Sequence, residues 1–412
     1  MISSPVRRIV RLVLWTVPAL LVACGGGEST DGSTGGSTST GSGATAPEPP
    51  RPDPTTWRTT ASMAVGRQSH TATLLEDGRV LVVGGERFDQ TMLDDVEIFD
   101  PKAETWTTLA PLPAPRSNHT ATRLEDGRVL IAGGGKNSSI GVPSGEEVTP
   151  SCLVFDPAKG TFTPTGSLAV ARGSHHAALL PSGQVLVVGG GGDTVFGPCG
   201  PTPDCTIANG VASAELYDPA TGTWSSAGSM AAPRYSFTLT AMAGGALLAV
   251  GGVTGASSSK TAEIFRDGQW MSAPPLTTQD RLHHAAALLG SGHVLVAGGK
   301  KANVSPLATA EIFDPESNHW TQTAGLGEVR TAARMVSLPT GHVLTVGGYD
   351  QLTQKSLDLA AIFDEQTATW TPIAPLEKAR SGPSVTTLAD GRLFVVGGNT
   401  GYSVAKTCEI SD

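Results

Sequence analysis

The sequence predicts an all-β chain in which seven copies of a four-stranded antiparallel sheet are arranged in a ring. Three observations support this prediction. The string RQSHTATLLEDGRVLVVGG at residues 67–85 returns as RSNHTATRLEDGRVLIAGG at residues 116–134, and five weaker copies follow. Each copy ends in a glycine pair, and no amphipathic helical pattern interrupts the series. Self-similarity at a period of about 50 residues indicates one supersecondary unit per copy. The copies begin at Arg67, Arg116, Arg172, Arg234, Arg281, Arg330 and Arg380.

Each repeat reads as four short strands. The small, alternating residues after the arginine predict the first strand, and a turn such as Asp77-Gly78 predicts a hairpin into the second. The apolar run that follows, residues 80–83 in the first copy, is typical of a strand buried on both faces. After the glycine pair comes a loop of variable length. The third strand is then built on Ala-Glu-Ile-Phe-Asp-Pro or a relative, and a fourth strand contains a tryptophan.

Sheets of this kind expose edges when they are isolated, and a radial arrangement about one axis hides nearly all of those edges. We therefore expect residues 53–412 to form a seven-bladed β-propeller. The seventh repeat stops at its third strand, and the missing tryptophan stands near the start of the domain, at Trp57. The last blade is therefore expected to be closed by an N-terminal strand. The blade tryptophans, replaced by Phe162 in the second repeat, are Trp57, Trp106, Trp224, Trp270, Trp320 and Trp370.

The glycine pair, the aromatic residue of the third strand and the tryptophan of the fourth resemble the kelch repeat, whose fold is a β-propeller. The resemblance covers essentially all of residues 53–412. It implies a binding module whose ligands lie over the mouth formed by the variable loops. We expect a protein, peptide or glycan ligand and a monomeric chain.

The first 52 residues lie outside the repeats. Three arginines precede an apolar run at residues 12–22, which is too short to span a bilayer. The run ends in Leu-Val-Ala-Cys24, which resembles the lipobox of bacterial lipoproteins. The resemblance implies a signal peptide at residues 1–23 and a lipid on Cys24. The alternative is an ordinary secretory signal with an incidental cysteine. Residues 24–52 then form a flexible Gly/Ser/Thr/Pro-rich linker behind the lipidated cysteine.

These features predict an exported lipoprotein, anchored to a bacterial membrane in the periplasm or at the cell surface. Gly25, directly after the cysteine, resembles outer-membrane sorting in some Gram-negative bacteria. The chain has a net charge of −9, which becomes −12 without the three arginines of residues 1–23. A net negative charge without a long Lys/Arg run argues against a nucleic-acid partner.

The arginine that opens every repeat has two interpretations. Seven cations around an axis suggest an anion site. The third strands, however, offer a glutamate in five repeats, so an internal Arg–Glu pair is the simpler account. The glutamates are Glu97, Glu215, Glu263, Glu311 and Glu409. Four histidines three residues after their arginines allow a metal site in principle, but packing is the expected role. They are His70, His119, His175 and His284.

An enzyme is the alternative to a binding module. Galactose oxidase is built on such blades, and that resemblance implies a copper with tyrosine and histidine ligands. The sequence shows no nucleophile–base pairing and no paired carboxylates, so we predict no catalytic residue, metal or cofactor. An oxidase- or hydrolase-like enzyme stays open as the second reading. A purely structural surface protein is the third.

The variable loops contain aromatic residues that no blade position requires, and function on a propeller is grafted onto its loops. Two positions after each repeat arginine stands a residue that is mostly small and polar, and His283 belongs to this set. The candidate ligand-binding residues are this histidine, an arginine and five aromatic residues: Arg87, Phe88, Phe196, Tyr235, His283, Tyr349 and Tyr402. The third loop is the longest, and we expect a disulfide between Cys199 and Cys205, the alternative being two free thiols. Phe196 and Tyr235 beside that loop are the expected hot spot.

Overall fold

The computed structural model describes residues 51–137, 147–199, 202–255, 257–302 and 305–412. The side chains of residues 136–137, 192–199 and 202–209 are not described. Seven four-stranded antiparallel sheets form the blades of a ring, which confirms the predicted all-β propeller. In this part of the chain, no helix is long and apolar enough to cross a membrane. The signal, Cys24 and the linker lie outside the described residues, apart from residues 51 and 52.

The strands of each blade are given from the axis outwards. Blade 1 has Thr71–Leu74, Val80–Val83, Val96–Asp100 and Thr105–Thr108. Blade 2 has Thr120–Arg123, Val129–Ala132, Cys152–Asp156 and Thr161–Thr165. Blade 3 has His176–Leu179, Val185–Val188, Ser213–Asp218 and Thr223–Ser229. Blade 4 has Thr238–Ala241, Leu247–Val250, Ala262–Arg266 and Gln269–Ala273. Blade 5 has Ala285–Leu288, Val294–Ala297, Ala310–Asp314 and His319–Thr323. Blade 6 has Arg334–Ser337, Val343–Val346, Ala360–Asp364 and Thr369–Ile373. Blade 7 has Ser384–Thr387, Leu393–Val396, Cys408–Ser411 and Trp57–Thr60.

Shorter elements lie in the loops between the blade strands. Four of the loops that follow the glycine pairs contain small hairpins: Gly135–Asn137 with Glu147–Val148, Gly191–Cys199 with Thr202–Gly210, Val253–Thr254 with Ser257–Ser258, and Tyr349–Asp350 with Lys355–Ser356. A 3-10 turn, Ala243–Gly245, joins the first two strands of blade 4. The third loop is thus a long antiparallel hairpin in which Cys205 lies opposite Gly197 and Cys199 opposite Thr202. Whether the two thiols bond to each other stays a prediction.

Burial follows the position of a strand in its blade. Every residue of the second strand is buried in all seven blades, whereas the fourth strand is mostly exposed. The core therefore lies between neighbouring blades. Between blades 7 and 1, for example, Phe99 stacks on Phe394 with their ring centroids 4.3 Å apart. In blades 1 to 6 the aromatic residue of the third strand also packs on the fourth-strand tryptophan, or on Phe162, with centroids 4.9–5.2 Å apart.

The N-terminal strand closes the ring as expected. Trp57–Thr60 pairs with Cys408–Ser411, so that Trp57 lies opposite Ser411. The side-chain carboxylate of Asp412 accepts hydrogen bonds from the backbone N–H groups of Thr55 and Thr56 at 3.1 and 2.9 Å. The two ends of the domain thereby complete one blade between them.

The glycine pair is explained by close approach between blades. Gly84 has a φ of 58°, and a Cβ atom there would lie 2.4 Å from the carbonyl oxygen of Arg116 in the next blade. The neighbouring Gly85 has a φ of 98° and donates its N–H to that same carbonyl at 2.9 Å. Only glycine tolerates both the left-handed backbone and the absence of space.

Candidate functional site: the loop face and the central channel

The repeat arginines are buried, and five of them form internal ion pairs. Their Nη2 atoms lie 2.5–3.3 Å from the third-strand glutamate of the same blade. In blade 4, for example, Arg234 pairs with Glu263 at 2.5 Å, and the second oxygen of Glu263 accepts the N–H of Ala231 at 2.7 Å. Nη1 of the arginine donates to the carbonyl oxygen of Gly251, in the glycine pair. The pair thus joins three segments of one blade, which is a structural role.

Two blades lack the glutamate. In blade 2, Arg116 donates to the hydroxyl of Ser151 at 3.1 Å. In blade 6 the position is Ala361, and the Nε and Nη1 atoms of Arg330 have no partner among the described residues. A buried guanidinium with unsatisfied donors is costly, so blade 6 contains a local weak point.

The channel mouth is formed by the second residue after each repeat arginine. These residues share a left-handed backbone with φ of 50–56°, and they are Ser69, Asn118, Ser174, Ser236, His283, Ala332 and Gly382. Five backbone hydrogen bonds of 2.8–3.1 Å join successive members, such as Asn118 N–H to Ser69 O. This ring of backbone contacts aligns the blades at the end where the variable loops emerge, because the residue before each ring member pairs with the residue after the glycine pair of its blade.

The four repeat histidines pack between blades. A Cβ on Gly84 would lie 3.1 Å from the ring of His119, so the imidazole covers the glycine pair of the preceding blade. Three of them hydrogen-bond through Nε2 to a threonine hydroxyl of the preceding blade at 2.9–3.0 Å. Burial lowers the pKa of His70 and His119 to about 3 and that of His175 and His284 well below its ordinary value. These imidazoles are therefore neutral at pH 7.

The loops of blades 1 and 7 border an open groove of about 420 Å³. Arg87 and Phe88 line it from blade 1, and Ser403 and Val404 line it from blade 7. Phe88 is 49% exposed, and Tyr402, next to Ser403 in the chain, is 89% exposed. The structure therefore brings three of the predicted binding residues to neighbouring loops of one face.

The other predicted binding residues are spread around the same face. His283 belongs to the ring at the mouth and is exposed. Tyr349 is half-buried, and its hydroxyl donates to Gln354 at 2.9 Å within the loop of blade 6. Tyr235 is half-buried at the start of blade 4, where its backbone pairs with Val253. The side chain of Phe196 is not described, so its proximity to Tyr235 stays a prediction.

Three residues of this region are not singled out by the sequence pattern alone. Leu352, in the loop of blade 6, is 72% exposed. Arg334 and His176 line the channel. Each is the fourth residue after the arginine of its repeat, a position at which the other blades have Thr, Ala or Ser. The signal in the sequence is that departure from small residues, which becomes visible only when the seven first strands are superposed.

The repeat histidines are not gathered together as metal ligands. In the described parts of the chain, no three His, Cys, Asp or Glu side chains come close enough together to hold a metal ion. The channel imidazoles instead face neighbouring blades, where three of them use Nε2 for a threonine. Cys152 and Cys408 are buried free thiols, and burial raises their pKa to about 11 and about 12. Neither is a reactive thiolate at pH 7.

Comparisons with known proteins agree with this architecture. Residues 53–252 match the family model of the KLHDC2/KLHL20/DRC7 Kelch-repeats domain, and residues 281–327 match the Kelch motif. A novel fungal alcohol oxidase of the AA5 family, solved in complex with copper, is similar with a TM-score of 0.67 and 16% identity over 87% of this chain and 76% of that one. YjhT is similar with a TM-score of 0.56 and 14% identity, over 76% of this chain and 99% of that one. The chain matches no curated protein. Similarity at such low identity shows the fold alone.

Proposed function

Since the chain belongs to the kelch-repeat β-propellers, we propose that it is a binding module which takes a protein, peptide or glycan on its loop face. We propose further that it works outside the cytoplasm, tethered to a membrane by lipid on Cys24. The groove between the loops of blades 1 and 7 is the observation that best supports the binding role.

This part of the loop face combines exposed apolar area with a cation. Among the described residues, six large apolar side chains are exposed, and three of them lie on the loops of blades 6, 7 and 1: Leu352, Tyr402 and Phe88. Exposed apolar surface that is concentrated in one region marks interaction sites in soluble proteins. Arg87 adds guanidinium donors at the groove. Aromatic residues and arginine are the types that dominate binding energy at interfaces.

The hairpin of blade 3 offers a second location on the same face. A crosslink between Cys199 and Cys205 would reduce the entropy lost when this hairpin closes on a partner. Phe196 and Tyr235 would then supply the aromatic contact. Because this location lies on blades 3 and 4, mutations can separate it from the groove between blades 7 and 1.

The test begins with the purified full-length protein in detergent, screened on peptide and glycan arrays. With the ligand found, the double variant Phe88→Ala/Tyr402→Ala should weaken binding about 30-fold, which corresponds to about 2 kcal/mol at a hot spot. Its melting curve should stay unchanged because both side chains are exposed. Met271→Ala is the matched control, since Met271 is 43% exposed but lies on the outer strand of blade 4.

The same ligand is measured against Phe196→Ala/Tyr235→Ala. A loss confined to this second pair would move the site to blades 3 and 4, and a large fall in stability would mean that Phe196 packs under its own loop. Arrays without any specific ligand, or equal affinity in both double variants, would contradict binding through the loop aromatics. The oxidase or hydrolase alternative rests on the shared fold only, and the alcohol oxidase activity belongs to that fungal protein.

A further inference from the structure

The central channel contains a cavity of about 310 Å³, which the seven residues of the mouth ring help to line. Hydroxyl, amide and imidazole groups dominate its wall, together with one guanidinium and the apolar faces of Phe237 and Ala333. None of the described residues that line it is acidic. Its volume lies at the lower end of the range for small-molecule sites, which are about 300–1,000 Å³.

The guanidinium belongs to Arg334, the first residue of the innermost strand of blade 6. Its Nε donates to the carbonyl oxygen of Pro383 at 2.9 Å, which orients the side chain. The described residues supply no partner for its two Nη atoms, and the side chain is exposed to the channel. A planar fork of N–H donors therefore faces the cavity, in the geometry that pairs with a carboxylate through two parallel hydrogen bonds.

The charge of Arg334 acts across the channel. Burial lowers the pKa of His70 on blade 1 and of His176 on blade 3, and the charge of Arg334 lowers both further. No carboxylate of the described residues acts on the charge of Arg334, whereas Glu97 pairs with Arg67 at 2.5 Å. The repeat arginines are thus balanced within their blades in five cases, while the channel arginine carries an uncompensated positive charge.

We infer that the channel is a binding site for a small organic acid, whose carboxylate pairs with the guanidinium of Arg334. The carbon skeleton would lie against Phe237 and Ala333, and the polar mouth would admit the ligand from the loop face. A carboxylate supplies both the missing charge and the missing acceptors. This site uses Arg334, Phe237 and Ala333 and none of the groove residues, so it stands or falls independently of the proposed loop-face function.

The experiment is a calorimetric titration of the full-length protein in detergent with succinate, acetate and phosphate, without any loop ligand. Saturable 1:1 binding of succinate is expected, and Arg334→Ser should weaken it at least tenfold. Serine already stands at this position in blade 7, as Ser384, so the substitution suits the fold. Arg334→Lys keeps the charge without the fork and should bind with an intermediate affinity.

Arg123→Ser is the matched control, because Arg123 is an exposed arginine at the far end of the innermost strand of blade 2. It should bind succinate like the original protein. Melting curves identify a variant that has not folded, in which case Arg334→Lys decides the question. The inference is overturned if succinate does not bind, if Arg334→Ser binds it equally well, or if phosphate binds more tightly than either carboxylate.

Discussion

The buried Arg–Glu pair is the residue contact on which each blade depends most. Two charges removed from water recover their desolvation cost only with close geometry and further hydrogen bonds. Both conditions hold in blade 4, where Glu263 accepts a guanidinium N–H and a backbone N–H at once. The equivalent Arg330 in blade 6 is also buried but lacks the carboxylate, and Glu328, the acid whose charge acts on it, is exposed.

Supplying the missing carboxylate in blade 6 should stabilise the protein. Ala361 lies opposite Thr345 in the register that places Glu263 opposite Ala249, so a glutamate side chain there points at Arg330. We expect Ala361→Glu to raise the free energy of unfolding by about 1.5–3 kcal/mol, the contribution of a hydrogen bond to a charged group. Thermal and denaturant unfolding measure the change.

Two companion variants test the cause of that gain. Ala361→Gln offers an acceptor without the charge and should give a smaller increase. Glu263→Ala leaves Arg234 buried and unpaired and should cost about 3–5 kcal/mol. If Ala361→Glu does not stabilise the protein and Glu263→Ala leaves the free energy of unfolding unchanged, the pair makes no net contribution in these blades.

The strand that closes blade 7 comes from the opposite end of the domain, and the ring depends on it. Deletion of residues 53–60 removes this strand, exposes the edge of Cys408–Ser411 and uncovers the buried wall around Ile410. We expect the melting temperature to fall sharply, since loss of a buried Trp side chain alone costs about 3–5 kcal/mol. Deletion of residues 35–42, eight residues of the predicted linker, is the control of equal length. An unchanged melting curve after the first deletion would refute this closure.

The blades could be predicted from the sequence because each of their features is repeated. A glycine pair where a Cβ would strike the next blade, and a tryptophan on every fourth strand except that of blade 2, appear as a pattern when seven copies are compared. The site could be predicted only in part. Phe88 and Tyr402 depart from the repeat, so the sequence alone identifies them as candidate binding residues. The groove between their loops depends on how the first and last blades meet, which the sequence does not report.

Arg334 shows the limit of the repeat pattern most clearly. It occupies an ordinary first-strand position, and its role depends on which side chains the six other blades contribute to the wall of the channel. Its missing partner is a property of the assembled ring, since no local sequence signal reports that a cavity lacks an acid. Single departures from a repeat are therefore the positions at which structure adds most to sequence.

The whole molecule, as we propose it, is a net negative propeller held at a membrane by a lipid and a linker. The charge balance, 28 basic against 37 acidic residues, argues against electrostatic adhesion to anionic lipid as the means of attachment. Membrane association then depends on Cys24. One acyl chain binds a membrane only reversibly, so stable anchoring requires the several chains that lipoproteins attach at this cysteine.

Substitution of Cys24 separates the lipid anchor from the ordinary secretory signal. We expect Cys24→Ser either to release the protein from the membrane fraction into the soluble extracytoplasmic fraction or to leave an uncut precursor, because the lipidated thiol is lost. Cys152→Ser is the control, since this thiol is buried in blade 2 and does not belong to the signal. Fractionation followed by mass measurement of the N-terminal fragment distinguishes the two forms. A Cys24→Ser protein that is normally processed and still sediments with membranes would exclude the lipid anchor and leave attachment to the loop face.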